Sequence, residues 1–287
     1  MVLMPALAEA GSKGRDFRIC ALVEADYFAI DGMIDDWKGI RYSILGKDSD
    51  ASFDFRCAYD QDNIYLAVDV RDQRVIRTRQ AKVRGEDHFT ISLSALGKPF
   101  KLTVLPGSPT AKPKYIAGRR QPKWLKVADS LQPRGFSIEV ALPRKKIAGV
   151  GSLTPMLNAE LVFHDTDRAM AHRIQRRRTF SGRLHMEGGV RTFKAFLSSL
   201  KLRRGDITLD RLADVDTASG AERVLAGGRY VGVLADQFAF MQLPIQSAKD
   251  LKKLELVDFD GDGRSFVLGQ YRQYGGGGAR EIVSIWE

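Results

Sequence analysis

Alternation of apolar and polar residues predicts a chain built mainly from β-strands. Phe53, Phe55 and Cys57 alternate with polar or small neighbours, which is the period-two pattern of a half-buried strand. An Asp/Asn-rich turn follows at residues 60–63, and the alternation then resumes over residues 64–70. Because Asp and Asn tolerate tight backbone geometry, this stretch predicts a β-hairpin.

The same signals recur along the chain. Further strands are predicted at residues 88–93, 100–105, 136–142 and 157–164, and clusters of proline and glycine separate them. Many short strands with regular turn signals indicate an all-β sandwich or barrel. One short segment, at residues 190–200, has a helical pattern that fits an edge strand equally well.

The last third of the chain contains an internal repeat. LADVDTASGAERVL, starting at Leu212, returns as LVDFDGDGRSFVL, starting at Leu256. A period of about 43 residues suits one propeller-like β unit, but two units cannot close a propeller. Residues 205–287 are therefore interpreted as a small β-rich appendage or as part of an array that continues beyond Glu287. The boundary with the preceding domain is predicted at residues 201–205.

Five motifs in a fixed order carry a family resemblance. They are AIDGMIDDW (29–37), AYDQDNIYLAVDVRD (58–72), GEDHFTISL (85–93), GFSIEVALP (135–143) and LNAELVFHDTD (157–167). Together they resemble the family 9 carbohydrate-binding modules and their DOMON-like relatives. The resemblance covers residues 17–200 and implies an antiparallel two-sheet sandwich that binds a carbohydrate without catalysis. The repeat after it is similar to FG-GAP repeats.

The resemblance also directs attention to the tryptophans. In sugar-binding members, aromatic faces sandwich a pyranose, because sugar C–H faces are apolar and their edges are polar. Trp37 falls on the family's structural tryptophan and is expected in the core, and Trp286 belongs to the C-terminal repeat. Trp124 is therefore the predicted ligand-binding aromatic, with Tyr115 as its nearest aromatic companion.

The charge of the chain is localised. The net charge is +10, and the segment from Arg168 to Arg204 alone contains eleven Lys or Arg residues and a single acid, Glu187. Arginine forks pair carboxylate or sulfate groups, so an anionic polysaccharide is a candidate partner. The arginines proposed for this role are Arg173, Arg176, Arg177 and Arg178. A solvated basic face is the alternative. Nucleic acid is disfavoured, since the arginine run has no interleaved stacking aromatic residue beyond Phe180 and export is expected.

A calcium site is predicted in the second repeat. Asp258, Asp260 and Asp262 alternate before Gly263, and three carboxylates in a glycine-containing turn suit a hard, oxygen-seeking cation. An EF-hand is excluded, because its twelfth loop position is Gly269 and lacks the bidentate glutamate. An Asp/Gly turn without metal is the alternative.

Other function classes remain open at this stage. Some DOMON-like relatives bind haem, and Met156, His164, Met170 and His172 are the residues to consider as axial ligands. No catalytic motif is visible, although the paired carboxylates of a glycoside hydrolase would leave no local signature. A structural or protein-interaction module that has the fold without the sugar site is the main alternative to carbohydrate binding.

The N-terminus and the cysteines provide evidence about the cellular location of the protein. Residues 1–10, MVLMPALAEA, end in a small-x-small pattern and are interpreted as the remnant of a signal peptide, with a frayed terminus as the alternative. Cys20 and Cys57 fit either one disulfide or two buried thiols. No apolar run approaches the roughly 20 residues of a membrane span. Export to the periplasm, the cell surface or the medium is therefore expected.

Overall fold

The computed structural model describes residues 18–46, 50–80, 83, 85–118, 122–151, 154–167, 176–215, 220–235 and 237–286. Within these residues the chain forms eighteen β-strands and one α-helix, which confirms the predicted all-β class. No helix in this part of the chain is long and apolar enough to cross a lipid bilayer. The predicted signal-peptide remnant, residues 1–10, lies outside the described residues.

Eleven strands form the larger unit within the described residues. They are β1 (Ile19–Leu22), β2 (Tyr42–Leu45), β3 (Ser52–Tyr59), β4 (Asn63–Arg71), β5 (His88–Ser94), β6 (Phe100–Leu105), β7 (Lys114–Ile116), β8 (Lys126–Gln132), β9 (Gly135–Pro143), β10 (Met156–Asp165) and β11 (Arg176–Met186). Sheet I has the order β7-β6-β5-β10-β11, and sheet II has the order β8-β9-β4-β3, with β2 also on β3. Strand β1 runs parallel to both β11 and β3 and so joins the two sheets.

The core lies between the two sheets. Five phenylalanines that are at most 1% exposed fill it: Phe53, Phe55, Phe89, Phe136 and Phe163. Phe53 of sheet II meets Phe89 of sheet I edge to face at 4.9 Å, so the apolar faces found by period-two alternation do pack together. Burying one such ring contributes roughly 1.5–3 kcal/mol. The predicted two-sheet sandwich is confirmed.

The predicted hairpin is formed by β3 and β4. Asp60 Oδ1 accepts the backbone N–H groups of Asp62 (2.7 Å) and Asn63 (2.6 Å), which closes the turn. The strands then pair in register, with Cys57 opposite Leu66. The strands predicted at residues 88–93, 100–105, 136–142 and 157–164 are also present, as β5, β6, β9 and β10.

A buried carboxylate explains two of the sequence motifs. Glu139 of β9 is fully buried and accepts hydrogen bonds from Trp37 Nε1 (2.7 Å) and from the backbone N–H groups of Asp31 (3.0 Å) and Gly32 (2.7 Å). Gly32 has φ +91°, and a Cβ there would lie 2.5 Å from the backbone of Asp129. The glycine is therefore required, and Trp37 is a core residue as expected.

The disulfide alternative is resolved by the structure. Cys20 on β1 and Cys57 on β3 form a disulfide, with their Cα atoms 4.4 Å apart. Both cysteines are buried in the main core. The bond therefore fastens the short strand that joins the two sheets.

The helical candidate is a helix, α1 (Glu187–Ser199), not an edge strand. Its apolar residues Phe193, Phe196 and Leu197 recur at helical spacing, so they form one stripe. Phe196 is fully buried and packs over Gly232, where a Cβ would lie 2.3 Å from the ring. The helix thus fastens the sandwich to the C-terminal unit.

The C-terminal unit contains two antiparallel sheets. The first contains β12 (Ile207–Ala213), β13 (Glu222–Gly227), β14 (Tyr230–Leu234) and β15 (Phe238–Gln242), and the second contains β16 (Leu251–Val257), β17 (Phe266–Gly275) and β18 (Gly278–Trp286). Val224 and Val267 occupy equivalent positions in the two repeats, and both lie in the core between the sheets. The repeats therefore pack equivalent faces against each other. The FG-GAP resemblance stays a prediction.

Candidate functional site

Trp124 is half-buried and lies close to two depressions on the sandwich, one of which it lines. It lines a small cavity of about 100 Å³ with the buried rings of Phe28 and Tyr65. Asp26, Asn63 and Lys126 supply the polar part of the lining. This volume holds about three water molecules, so the cavity suits one edge of a ligand and not a whole ring.

The second depression is an open cleft of about 430 Å³ that we call the lysine cleft. Its side-chain lining includes Lys98, Lys145, Lys146 and Phe100. The loop after β5 lies against the segment after β9, because Ala95 and Leu96 both donate backbone hydrogen bonds to the carbonyl of Ala148. This contact brings Lys98 to the lysine pair that follows β9.

Trp124 does not line the lysine cleft but contacts two residues that do. Its ring lies 5.8 Å from that of Phe100, and the ammonium of Lys146 lies 5.9 Å from its centroid. No carboxylate forms an ion pair with Lys98, Lys145 or Lys146 in the described part of the chain. The cleft therefore combines the ring of Phe100 with three lysines that are available to an anionic ligand.

Tyr115, the predicted companion of Trp124, belongs to a hydrogen-bonded group that joins the two sheets. Its hydroxyl donates to Asp129 Oδ1 at 2.5 Å, and Asp129 Oδ2 accepts the backbone N–H of Gly107 at 2.6 Å. These bonds tie β7 of sheet I to β8 of sheet II. No ring contact joins Tyr115 to Trp124 among the described aromatic residues, where Phe100 is the ring neighbour of Trp124. The two predicted aromatics therefore do not form a sandwich pair.

The arginine run does not form one free basic surface. Arg176 pairs with Asp50 (2.5 Å), Asp167 (3.4 Å) and Asp165 (3.8 Å). Arg178 Nε donates to the carbonyl of Ala51 at 3.0 Å. Arg177 is exposed on β11, and Arg173 lies outside the described residues. The ion pairs of Arg176 neutralise part of the charge on which the sequence-based hypothesis relied.

The predicted calcium loop is exposed, and its carboxylates already have hydrogen-bond donors. Asp258 accepts the backbone N–H groups of Gly261 (2.7 Å) and Gly263 (3.0 Å), and Asp262 accepts that of Arg264 (2.8 Å). Ligand oxygens of Asp258, Asp260 and Asp262 lie within 4.8 Å of one another. The spacing is compatible with a cation, and calcium at this loop stays a prediction.

The haem hypothesis gains no support from the residues that can be placed. Met156 and His164 lie eight residues apart on β10, which separates them by about 26 Å along the strand. The ring of His164 stacks on that of His88 at 4.2 Å, and burial lowers the pKa of His164 to about 3. Met170 and His172 lie outside the described residues.

Sequence reasoning missed a buried carboxylate cluster. Asp72, Asp87 and Asp165 are each at most 1% exposed, and their ligand oxygens lie within 4.8 Å of one another. Burial, followed by the nearby carboxylates, raises the pKa of Asp87 to about 9 and that of Asp165 to about 6. The positions of these aspartates in the sequence could have indicated the cluster, because each lies at the end of a strand in one of the recognised motifs.

Two solved structures that are similar to this chain are both family 9 carbohydrate-binding modules. The chain is similar to a family 9 carbohydrate-binding module from Caldicellulosiruptor kristjanssonii in complex with glucose, with 13% identity and a TM-score of 0.48 over 59% of this chain and 94% of the other. A family 9 module from the same organism, in complex with cellotriose, gives 14% identity and a TM-score of 0.45 over 58% and 92%. No family model and no curated protein matches the sequence. At these values the likeness adds no argument for function.

Proposed function

We propose that the sandwich binds a carbohydrate that carries acidic groups, at the lysine cleft beside Trp124. The observation that carries this proposal is the contact of Trp124 with Lys146 and Phe100, two residues that line a cleft of about 430 Å³. A volume of this size falls within the range of small-ligand sites.

The chemistry of the cleft fits an acidic sugar. A pyranose has apolar C–H faces, which pack on an aromatic ring, and polar edges, which need hydrogen-bond partners. Lys98, Lys145 and Lys146 supply ammonium groups for a carboxylate or a sulfate. We therefore assign the binding of an acidic polysaccharide to these lysines and not to the arginine run.

Export is part of the same proposal. The Cys20–Cys57 disulfide supports it, because such bonds persist in oxidising compartments and are rare in the cytosol of most organisms. A location in the periplasm, at the cell surface or in the medium would also bring the protein to polysaccharides.

The test is a panel of neutral, uronic and sulfated glycans, probed with the purified protein at low and moderate salt. The double variant Lys145→Gln/Lys146→Gln should lose at least tenfold in affinity for an acidic glycan, since two cations leave the cleft. Trp124→Ala should weaken binding at both salt concentrations. The matched control is Lys252→Gln/Lys253→Gln, which removes the same charge from the distant strand β16.

The two double variants distinguish binding at the cleft from a general effect of net charge. Equal losses in both double variants would show that net charge alone governs binding, and the assignment to the cleft would be wrong. Silence across every glycan would favour the second candidate, a protein-interaction module. The outer face of the second C-terminal sheet supports that candidate, because Val283 is 64% and Ile285 is 56% exposed.

A further inference from the structure

We propose that the small cavity beside Trp124 receives the N-acetyl group of an amino sugar, so that the carbohydrate bound by the sandwich contains N-acetylated residues. This cavity, of about 100 Å³, is the one that Trp124 lines together with Phe28 and Tyr65, and we call it the Trp124 cavity. The inference rests on the proposed binding of a carbohydrate beside Trp124 and names a chemical group on that carbohydrate.

The volume of the Trp124 cavity selects a small group. It corresponds to roughly three water molecules at about 30 Å³ each, so a whole pyranose ring does not fit. An acetyl group consists of a methyl carbon, a carbonyl carbon and an oxygen, which together match this volume. A hydroxyl group would leave most of the cavity empty. The size therefore favours a short acyl substituent that projects from a sugar ring.

The inner wall of the cavity is aromatic and held in place. Phe28 is 6% and Tyr65 is 3% exposed. The ring of Phe28 stacks on that of Trp37 at 3.9 Å, and Trp37 Nε1 donates to the buried carboxylate of Glu139. The Tyr65 hydroxyl donates to Asp60 Oδ2 at 2.6 Å. Because these contacts order the rings before a ligand arrives, a methyl group can be buried against them with little further loss of entropy.

Polar residues complete the lining of the cavity. Asp26 and Lys126 are exposed, and Asn63 is half-buried. Asn63 Nδ2 donates to the Tyr65 hydroxyl at 3.4 Å, and an amide carries a second N–H that can donate to a ligand. In an acetamido group the carbonyl accepts a hydrogen bond and the N–H donates one. Asn63 or Lys126 can supply the donor, and the carboxylate of Asp26 can supply the acceptor.

Other small substituents of sugars match this lining less well. A carboxylate would be repelled by Asp26 and would lose its hydration against the aromatic rings. An ammonium group would be repelled by Lys126 and has no apolar part to bury. An O-acetyl group fits the apolar wall but has no N–H for Asp26. The N-acetyl group is therefore the substituent that uses the apolar wall, the donors and the acceptor together.

Trp124 connects the cavity to the lysine cleft. Its ring lines the cavity and also lies 5.8 Å from Phe100 and 5.9 Å from the ammonium of Lys146, which both line the cleft. A sugar on the exposed part of the indole can place its acetamido group in the cavity, while a neighbouring acidic sugar lies toward Lys146. The ligand class is therefore a polysaccharide in which N-acetylated amino sugars alternate with acidic sugars.

The experiment measures the affinity of the full chain for a hyaluronan hexasaccharide by isothermal titration calorimetry. This ligand alternates glucuronate with N-acetylglucosamine. One comparison ligand is the same hexasaccharide with N-butanoyl groups in place of N-acetyl groups. The other is an oligogalacturonate of equal length, which is acidic and has no acetamido group. We expect the N-butanoyl form to bind at least about tenfold more weakly, because the longer acyl chain exceeds the cavity.

Two variants locate the acyl group. Ala141 lines the cavity and is 4% exposed, so Ala141→Leu fills it. This variant should weaken hyaluronan binding about tenfold and change oligogalacturonate binding less than about twofold. Lys126→Met keeps the side-chain length, should weaken hyaluronan binding several-fold, and covers the case in which Ala141→Leu fails to fold. The matched control is Lys123→Met, which removes the same charge from an exposed position outside the cavity and should lose less affinity.

Two results would overturn the inference. One is equal affinity of the wild-type protein for the N-acetyl and N-butanoyl hexasaccharides. The other is an equal loss of hyaluronan and oligogalacturonate binding in Ala141→Leu. Oligogalacturonate keeps the two proposals apart. If it binds, and Lys145→Gln/Lys146→Gln weakens that binding while the acyl group has no effect, the cleft is correct and the cavity is wrong. If neither acidic ligand binds, both assignments are wrong.

Discussion

Two groups of three aspartates in this chain have opposite environments. Asp258, Asp260 and Asp262 are exposed on one loop, whereas Asp72, Asp87 and Asp165 are buried and come from three separate segments. In the loop, the backbone N–H groups of neighbouring residues already satisfy carboxylate oxygens. In the buried cluster, several oxygens have no hydrogen-bond partner among the residues that the structure describes.

The difference shows how burial changes the chemistry of a carboxylate cluster. Water hydrates exposed carboxylates and screens their mutual repulsion. Burial removes water and raises the cost of each unpaired charge. The neutral form of the buried carboxyls is therefore favoured, as the raised pKa of Asp87, about 9, indicates.

The largest expected effect comes from Asp87→Ala. Asp87 is fully buried and accepts the N–H groups of Ile76 and Thr166, so the variant leaves two buried donors unpaired. We expect the free energy of unfolding to fall by about 3–5 kcal/mol in urea denaturation. Asp87→Asn, which retains one acceptor oxygen, should lose less. A loss below about 1 kcal/mol would show that the loop around Ile76 readily finds other acceptors.

Local patterns predicted most of the fold. The β3–β4 hairpin followed from alternation and an Asp/Asn turn, and the segment at residues 190–200 was recognised as either a helix or an edge strand. These features depend on residues close in sequence, where the side-chain period directly reflects the backbone. The pairing of the two C-terminal sheets through equivalent faces was not foreseen, because a repeat period does not fix which faces meet.

The candidate sites were also predicted from the sequence only in part. Trp124 was selected from sequence and does lie beside a cleft, but Lys98, Lys145 and Lys146 were not recognised as its neighbours. The pairing of Arg176 with distant aspartates was also invisible, because it depends on contacts between β11 and the loops before β3 and after β10. Long-range contacts decide which charges remain free, and no local spacing reports them.

Asp210 is the opposite case to the buried cluster, because arginine side chains pair with its carboxylate. Arg223 binds it with two bonds of 2.9 Å, and Arg183 lies 3.2 Å away. Burial alone would raise the pKa of Asp210, but the hydrogen bonds and charge of Arg223 outweigh this, and the net pKa is lowered. Asp210→Asn should reduce stability by about 2 kcal/mol at neutral pH.

The sign of the pH dependence follows from that lowered pKa. A carboxyl group with a lowered pKa contributes its stability above the unfolded value and loses it as pH falls through the folded value. The difference between wild type and Asp210→Asn should therefore be complete at pH 7 and should shrink below about pH 4. Urea denaturation at both pH values measures it. A constant difference would assign the effect to packing and not to charge.

Arg176→Gln addresses the rim of the buried cluster and should have a smaller effect. Arg176 is 46% exposed, so solvent screens its ion pairs with Asp50 and Asp167. We expect the variant to lose about 1 kcal/mol of unfolding free energy at neutral pH in urea denaturation. Arg272→Gln, which removes an exposed ion pair with Glu281 on the C-terminal sheet, is the control. A loss no larger than that of the control would show that the ion pairs of Arg176 with the aspartates add no stability.

The smallest effect is expected from Asp258→Asn/Asp262→Asn in the exposed loop. Asparagine retains a carbonyl oxygen that can accept the N–H groups of Gly261 and Arg264, so the turn should survive. We expect a change in unfolding free energy below about 0.5 kcal/mol, in chelator and in Ca²⁺ alike. A larger loss that appears only with Ca²⁺ would establish the calcium site predicted from the spacing of these aspartates. Exposure would then be no barrier to a metal site in this loop.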